Sequence, residues 1–331
     1  MPGADWRAMA DEKEQARVSV FTARSRSVRN GPSDRRSRIG GADRLARIFP
    51  RCGYSRCGNG RMRLWRSSRV PVFEGRWACS PECLRAMVEE AVAREGSSEG
   101  QGSGAAVPRI PLGLMLLEQG QLSEQQLRQA LESHRRLAEA TGEAMRLEDW
   151  LLTSGLLSEA AVTRAISAQW NCPVFVLSGS RTEETASTLP RFLAEAMGVL
   201  PVRISGEKSV CLAFSERIDR SLSYAVEHMT GLQVAAGVAR ESEFRREQAR
   251  FLSRPSPKSR FLEVKDRQSL AREMSAWIEA EQPIEARLAR VHEIWWLRIG
   301  RRGSDSRLVG GAVEDLLATV ARSDPSPGNE N

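Results

Sequence analysis

The sequence predicts an α+β multidomain chain. The expected parts are a small four-cysteine zinc ribbon or treble clef, a helical tandem-repeat half joined to a small α/β half, and a small α/β C-terminal unit. Three observations predict it. Four of the six cysteines fall early, in two pairs, Cys52/Cys57 and Cys79/Cys83. The stretch PLGLMLLEQGQLSEQQLRQALESH at 111–134 is nearly rewritten, 35 residues on, as RLEDWLLTSGLLSEAAVTRAISAQ at 146–169. Beyond residue 172 the apolar period changes from helical spacing to short strand-like runs alternating with helical ones.

With 331 residues, the chain has room for about two or three domains. The basic surplus sits at the front. Residues 1–70 hold 17 Lys/Arg against 6 Asp/Glu, and the whole chain nets +7, so the remainder is slightly acidic. Residues 1–43 are Arg- and Ser-rich without an apolar period, which predicts a disordered basic arm. Either this arm engages phosphate, or it is only a solubilising tail. Acidic residues come early and no apolar h-region follows, so no secretory signal is expected. Nor does any stretch approach the ~18 apolar residues of a membrane helix. A cytoplasmic protein with no membrane insertion is the expectation.

Residues 44–94 read as a zinc-finger-like domain. Cys52, Cys57, Cys79 and Cys83 form two knuckle-like pairs separated by hairpin-like RMRLWR and PVFEGRWA. Four thiolates close a tetrahedron around zinc, and a fragment this small needs a staple to fold. Cys83 opens an amphipathic helix with Pro81 and Glu82 suited to its first turn. The x4 and x3 spacings are looser than the common x2, so a disulfide pair and unconnected thiols stay open as alternatives. Zinc modules meet nucleic acid or protein, which makes residues 1–94 a candidate nucleic-acid surface.

A Gly/Ser-rich linker is expected at 95–109. In the block 110–252, Ser123 and Ser158 read as N-caps of two helices, with Leu127, Leu131 and Leu137 on one face of the first, and Val162 and Ile166 on the second. PVFVL (173–177), GVLPVRI (198–204), SVCLAF (209–214) and GLQVAAGV (231–238) read as strands. PRFLAEAM, IDRSLSYAVEHM and SEFRREQARFL read as the helices between them. GEKS at 206–209 is a hairpin turn. SRPSPKSR at 253–260 is a second linker, 261–322 a small C-terminal unit containing the buried strand HEIWWLRIG, and 323–331 a disordered tail. Cys172 and Cys211 are expected to be buried as small apolar groups, and His228 to be a core or surface histidine.

The doubled stretch aligns Leu112 with Leu147, Leu116–Leu117 with Leu151–Leu152, Gly120 with Gly155, Leu122 with Leu157, and Ser123-Glu124 with Ser158-Glu159. It also aligns Ala130 with Ala165 and His134 with Gln169. Each copy is a short helix, a turn forced by glycine, and a capped helix. Taken alone, this is a duplicated hairpin that packs on its twin.

The tandem pattern Arg-Leu-Gly-x-x-(two apolar)-x-x-Gly-(two apolar)-x4-Leu-x3-Leu-x2-Gln/His resembles the N-terminal domain of type II secretion and type IV pilus assembly ATPases, the GspE N-terminal or MshEN-type domain. The resemblance covers 110–252, including CPVFVL, LPRFLAEAMGVLPVRISGEKSVCLAF and LSYAVEHMTGLQVAAGVARESEF. It implies a bacterial adaptor or regulatory module. It also implies cyclic di-GMP binding, as in some members, or docking to a secretion or pilus machinery protein or another protein partner. The implied ligand set is Leu112, Gly113, Leu116, Leu117, Gly120, Leu122, Leu127, Leu131 and His134 in the first copy. In the second it is Arg146, Leu147, Leu151, Leu152, Gly155, Leu156, Leu157, Val162, Ile166 and Gln169.

Two positions depart from the pattern. Pro111 replaces the first arginine and removes charged hydrogen bonds worth roughly 1.5–3 kcal/mol. Glu148 replaces the second glycine, adding a side chain and a carboxylate where a dianionic ligand should approach. Together they remove about two to four decades of affinity. Retained binding and a repurposed, ligand-free interaction module both stay open. No G-x-x-x-x-G-K-[ST] occurs, His292-Glu293 lacks a second histidine, and three scattered histidines assemble no Ser-His-Asp group. The expectation is no enzyme.

Overall fold

The computed structural model describes residues 52–58, 72–97, 110–142, 146–178, 185–206, 208–255, 257–301, 308 and 313–321. The basic arm, the RMRLWR stretch and the tail expected at 323–331 lie outside these residues, as does most of the first linker.

The repeated stretch folds the same way twice. Helix α2 (Leu112–Glu118) leads through a glycine turn to α3 (Glu124–Thr141), and α4 (Leu147–Thr153) leads through another to α5 (Glu159–Trp170). Gly120 and Gly155 sit at φ +66° and +70°, the left-handed region that glycine enters without a Cβ penalty. Each donates its N–H to the corresponding carbonyl, Leu117 or Leu152, at 3.0 Å. Ser123 closes a capping box with Gln126, and Ser158 accepts from the Ala161 N–H without the reciprocal bond, since alanine has no side-chain acceptor.

The two hairpins interlock. The first helix of each copy packs on the second helix of the other, α2 on α5 and α3 on α4. Leu116, Leu122, Leu127 and Ala130 share one buried cluster with Leu151, Leu157, Val162 and Ala165. Paired alanines at the same repeat position, both fully buried, leave room for close helix approach. Leu131 lies off this stripe. It is 47% exposed because Leu127 and Ala130 already span the face that α3 buries.

The second half of the block is a three-stranded sheet in the order β3 (Val199–Ser205), β4 (Ser209–Phe214), β5 (Gln233–Val238). β3 and β4 pair antiparallel around a turn opened by Gly206 at φ +58°. β4 and β5 pair parallel across the crossover helix α7 (Arg220–Thr230). Helices α6 (Arg191–Ala196) and α8 (Glu241–Ser253) pack on β3. PVFVL does not become a strand. It makes one bridge, Val174 to Val238, with backbone bonds from Phe175 N–H to Val238 and from Val238 N–H to Pro173. Pro173 has no N–H to extend the ladder, and Val176 is 71% exposed.

The flanks of this block form one sheet between them. Strands β1 (Val72–Phe73), β2 (Arg76–Trp77), β6 (Lys258–Val264), β7 (Glu285–Val291), β8 (Ile294–Gly300) and β9 (Val313–Val320) lie in the order β2-β1-β7-β8-β9-β6. β1 pairs parallel with β7 through Phe73 and Ala286. The cysteine segment and the C-terminal unit, read from sequence as separate, therefore share a sheet. They also share a core, in which Phe73, Trp77, Leu84 and Met87 meet Met274, Ile278, Leu288 and Trp295. Helices α1 (Pro81–Ser97) and α9 (Arg267–Glu281) cover this face together. β6 begins at Lys258, inside the stretch read as a linker, because Lys258–Val264 pairs residue for residue with Glu314–Val320.

The other sheet face belongs to the central block. Ala289, Val291, Trp296 and Leu317 join the cluster of Leu212, Val226 and Phe214, with α7 lying along β7. On this face Arg298 and Asp315 are both fully buried. Asp315 accepts from Arg298 Nε at 2.8 Å, from Arg298 Nη2 at 2.9 Å and from Trp296 Nε1 at 2.7 Å. The remaining guanidinium donor reaches the Thr188 and Leu308 carbonyls, so the buried charges are paired and hydrogen-bonded.

Candidate functional site

Two constellations stand out: the twin hairpins with Arg146, and the four cysteines. In the first, the implied ligand set divides by burial. Leu116, Leu122, Leu127, Leu151, Leu157 and Val162 are buried in the shared core. Leu112, Leu117, Leu147, Leu152 and Ile166 pack at its margin. Leu131 and Leu156 face solvent, as do the turns at Gly120 and Gly155. Gly113 serves helix crossing, since a Cβ there would lie 2.9 Å from Leu127 Cδ1. Gln169 donates to the Ile110 carbonyl at 2.7 Å, and His134 is half-buried on α3.

Arg146 stands at the N-cap of α4, where the resemblance expects a ligand-forking guanidinium. Here carboxylates close around it. Its Nε donates to Asp149 at 3.1 Å, Nη1 lies 3.7 Å from Glu148, and Nη1 also meets Glu216 on the loop after β4. Burial pulls the arginine pKa down, but Glu216, Asp149 and Glu148 outweigh it and raise the value. Arg146 thereby joins the helical half to the α/β half. Glu159 does the same on α5, accepting from the Ser242 hydroxyl at 2.7 Å and from its N–H. Neither Glu216 nor Ser242 carries a sequence signal, because both contacts are fixed only by the tertiary fold.

In the second constellation, the Sγ atoms of Cys52, Cys57, Cys79 and Cys83 all lie within 4.8 Å of one another. Cys57 to Cys79 is 3.4 Å and Cys79 to Cys83 is 3.6 Å, with the Cys79 N–H donating to Cys52 Sγ. A zinc tetrahedron with Zn–S near 2.3 Å has S···S edges of about 3.8 Å, so the donor set fits a single ion. All four are free thiols. Burial, followed by the neighbouring sulfurs of Cys57, Cys83 and Cys52, pushes the Cys79 thiol up to about 12. A cation among them reverses that penalty, because a metal holds its thiols deprotonated. Cys211 is buried, whereas Cys172 is only half-buried.

His228 is half-buried. Its ring stacks on Tyr224, and Nε2 lies 3.6 Å from Glu74 Oε1 on the β1–β2 turn. At that distance the contact is not a hydrogen bond, and Nε2 has no hydrogen-bond partner. Arg94 binds the same carboxylate through two nitrogens at 2.6 and 3.0 Å. His292, set aside as half of a metalloprotease motif, holds Asp219, the N-cap of α7, at 2.6 Å.

No family model matches the chain. The chain is similar to a GspE N-terminal, MshEN-type domain. The chain is 30% identical over 137 residues to the type IV pilus assembly ATPase PilB of Thermus thermophilus. That match takes in 40% of this chain and 14% of the ATPase, so the chain spans about a seventh of that relative's length. Among solved structures it is similar to MshE with cdg, at 28% identity and TM-score 0.35 over 43% of this chain and 99% of that one. It is also similar to the N-terminal domain of XpsE, at 20% identity and TM-score 0.31 over 42% and 92%. The likeness rests on the sequence match to the pilus assembly ATPase. Among the described residues, no helix is long and apolar enough to cross a membrane.

Proposed function

We propose that the chain is a non-catalytic regulatory or adaptor protein whose central block docks to a secretion or pilus-assembly protein. The observation that carries this reading is the interlocked twin hairpin, in a chain 30% identical over 137 residues to a pilus assembly ATPase. These 331 residues contain no phosphate-binding loop of the motor kind. Bound zinc at Cys52, Cys57, Cys79 and Cys83 is structural in this reading, since four protein sulfurs leave no open coordination position for chemistry. The test is crosslinked affinity purification of the full-length chain from its native host. A type II secretion or type IV pilus assembly protein should be enriched, and the enrichment should fall when residues 110–252 are replaced by a flexible linker. Enrichment that survives the replacement, or only unrelated proteins, contradicts docking through this block.

A second reading, reception of cyclic di-GMP, is favoured by Arg146 and the solvent-facing glycine turns. The carboxylates around that arginine oppose it. A dianionic ligand would have to displace Glu216 and Asp149 before it gained the guanidinium. In the native chain the docking reading therefore stands first.

A further inference from the structure

We propose that the four-cysteine metal site is a staple for an α/β unit assembled from both flanks of the central block, and that its occupancy is felt at the end of α7. The inference rests on the zinc reading above and adds what the metal holds together.

The β1–β2 hairpin cannot stand by itself. Its strands are two residues each, and even longer isolated hairpins are marginal in water. It is held from outside, by the Phe73–Ala286 pairing, by Glu74 N–H donating to the Ala286 carbonyl at 2.8 Å, and by Gly75 N–H donating to Glu285 at 2.9 Å. Its buried side chains belong to the core that β7 and α9 complete. A free-standing finger would keep Phe73 and Trp77 in a core of its own.

The sulfurs tie that hairpin to the loop and helix on either side. Cys52 and Cys57 sit on the preceding loop, whose Gly53 N–H donates to the Trp77 carbonyl at 2.8 Å. Gly53 is wedged so closely that a Cβ there would lie 2.4 Å from Arg76 Cβ. Cys79 follows β2, and Cys83 lies in the first turn of α1. A metal therefore fixes loop, hairpin and helix as one piece against β7. The turn of that piece carries Glu74, which reaches Arg94 and stands beside His228 in the last turn of α7. Arg287 on β7 donates to the His228 and Met229 carbonyls at the same helix end. Loss of metal frees the hairpin, uncovers the β7 edge and removes Glu74 from α7.

The test uses the full-length protein. Purified without chelator, it should carry about one zinc per chain by plasma mass spectrometry. Hydrogen exchange is then compared before and after chelation. The expected result is exchange faster by about tenfold or more in 285–291 and 226–231 as well as in 72–97, with 112–170 unchanged. Cys83→Ser should reproduce the chelated pattern. Cys57→His, which retains a zinc ligand, should keep the native pattern, so a general folding failure is distinguishable. If zinc is bound and removed yet exchange rises only in 52–58 and 72–97, the staple is wrong while the zinc site stands. If no zinc is bound and chelator changes nothing, the metal reading itself fails.

Discussion

Arg146 and Glu216, from the helical and α/β halves of the central block, meet as an ion pair that Asp149 completes at 3.1 Å. The guanidinium that the repeat pattern offers to a ligand is thus committed to joining the two halves. Both partners are more than a third exposed, so solvent screens the pair. Glu216→Gln should cost under about 1 kcal/mol in urea unfolding. A loss several times larger would show that the pair bears more of the junction than its exposure allows.

The interlocked repeat makes a sharper prediction. Leu116 and Leu151 occupy the same repeat position and are both fully buried. Leu116→Ala and Leu151→Ala should each destabilise the block by about 3–5 kcal/mol. Because the two side chains share one cluster, the double variant should depart from additivity. Chemical denaturation of the three variants checks both points.

Asp315→Ala should be at least as damaging, by about 3–5 kcal/mol. It strands a guanidinium that has no access to water and leaves Trp296 Nε1 without its acceptor. Thermal unfolding should show the loss, and Arg298→Met with Asp315→Leu should recover a large part of it.

Glu74 predicts a pH dependence. Burial raises its pKa, but the His228 ring and the Arg94 guanidinium outweigh burial and hold it at about 2, below its ordinary 4.5. A depressed carboxyl contributes stability that is fully present above 4.5 and lost as pH falls toward 2. The contribution is at most on the order of 3 kcal/mol. Denaturation midpoints of the native chain and Glu74→Gln should differ at pH 7 and converge near pH 2. A constant difference would place the effect in packing.

Local rules made half of this fold readable. Ser123 and Ser158 announce caps, Gly120 and Gly155 announce turns, and the repeat spacing announces two hairpins, because each signal depends on residues within one or two helical turns. The cysteine spacing likewise pointed to the four sulfurs that meet. The shared sheet was not readable. Val72–Phe73 is too short to show a period, and its partner Ala286 lies more than 200 residues on. PVFVL misled because apolar β-branched residues signal a strand even where Val174 and Val176 remain exposed. Glu216 beside Arg146, and Glu74 beside His228, are products of tertiary approach that no local pattern encodes.

The most direct measurement is calorimetric titration of the full-length chain with cyclic di-GMP, run beside Glu216→Gln combined with Glu148→Gly. The native chain should give little or no heat at about 100 µM ligand, and the double variant, in which Asp149 is the one carboxylate left on the guanidinium, should bind more tightly. Saturable, micromolar or tighter binding by the native chain, abolished by Arg146→Ala, would contradict a clasped arginine and make the protein a cyclic di-GMP receptor.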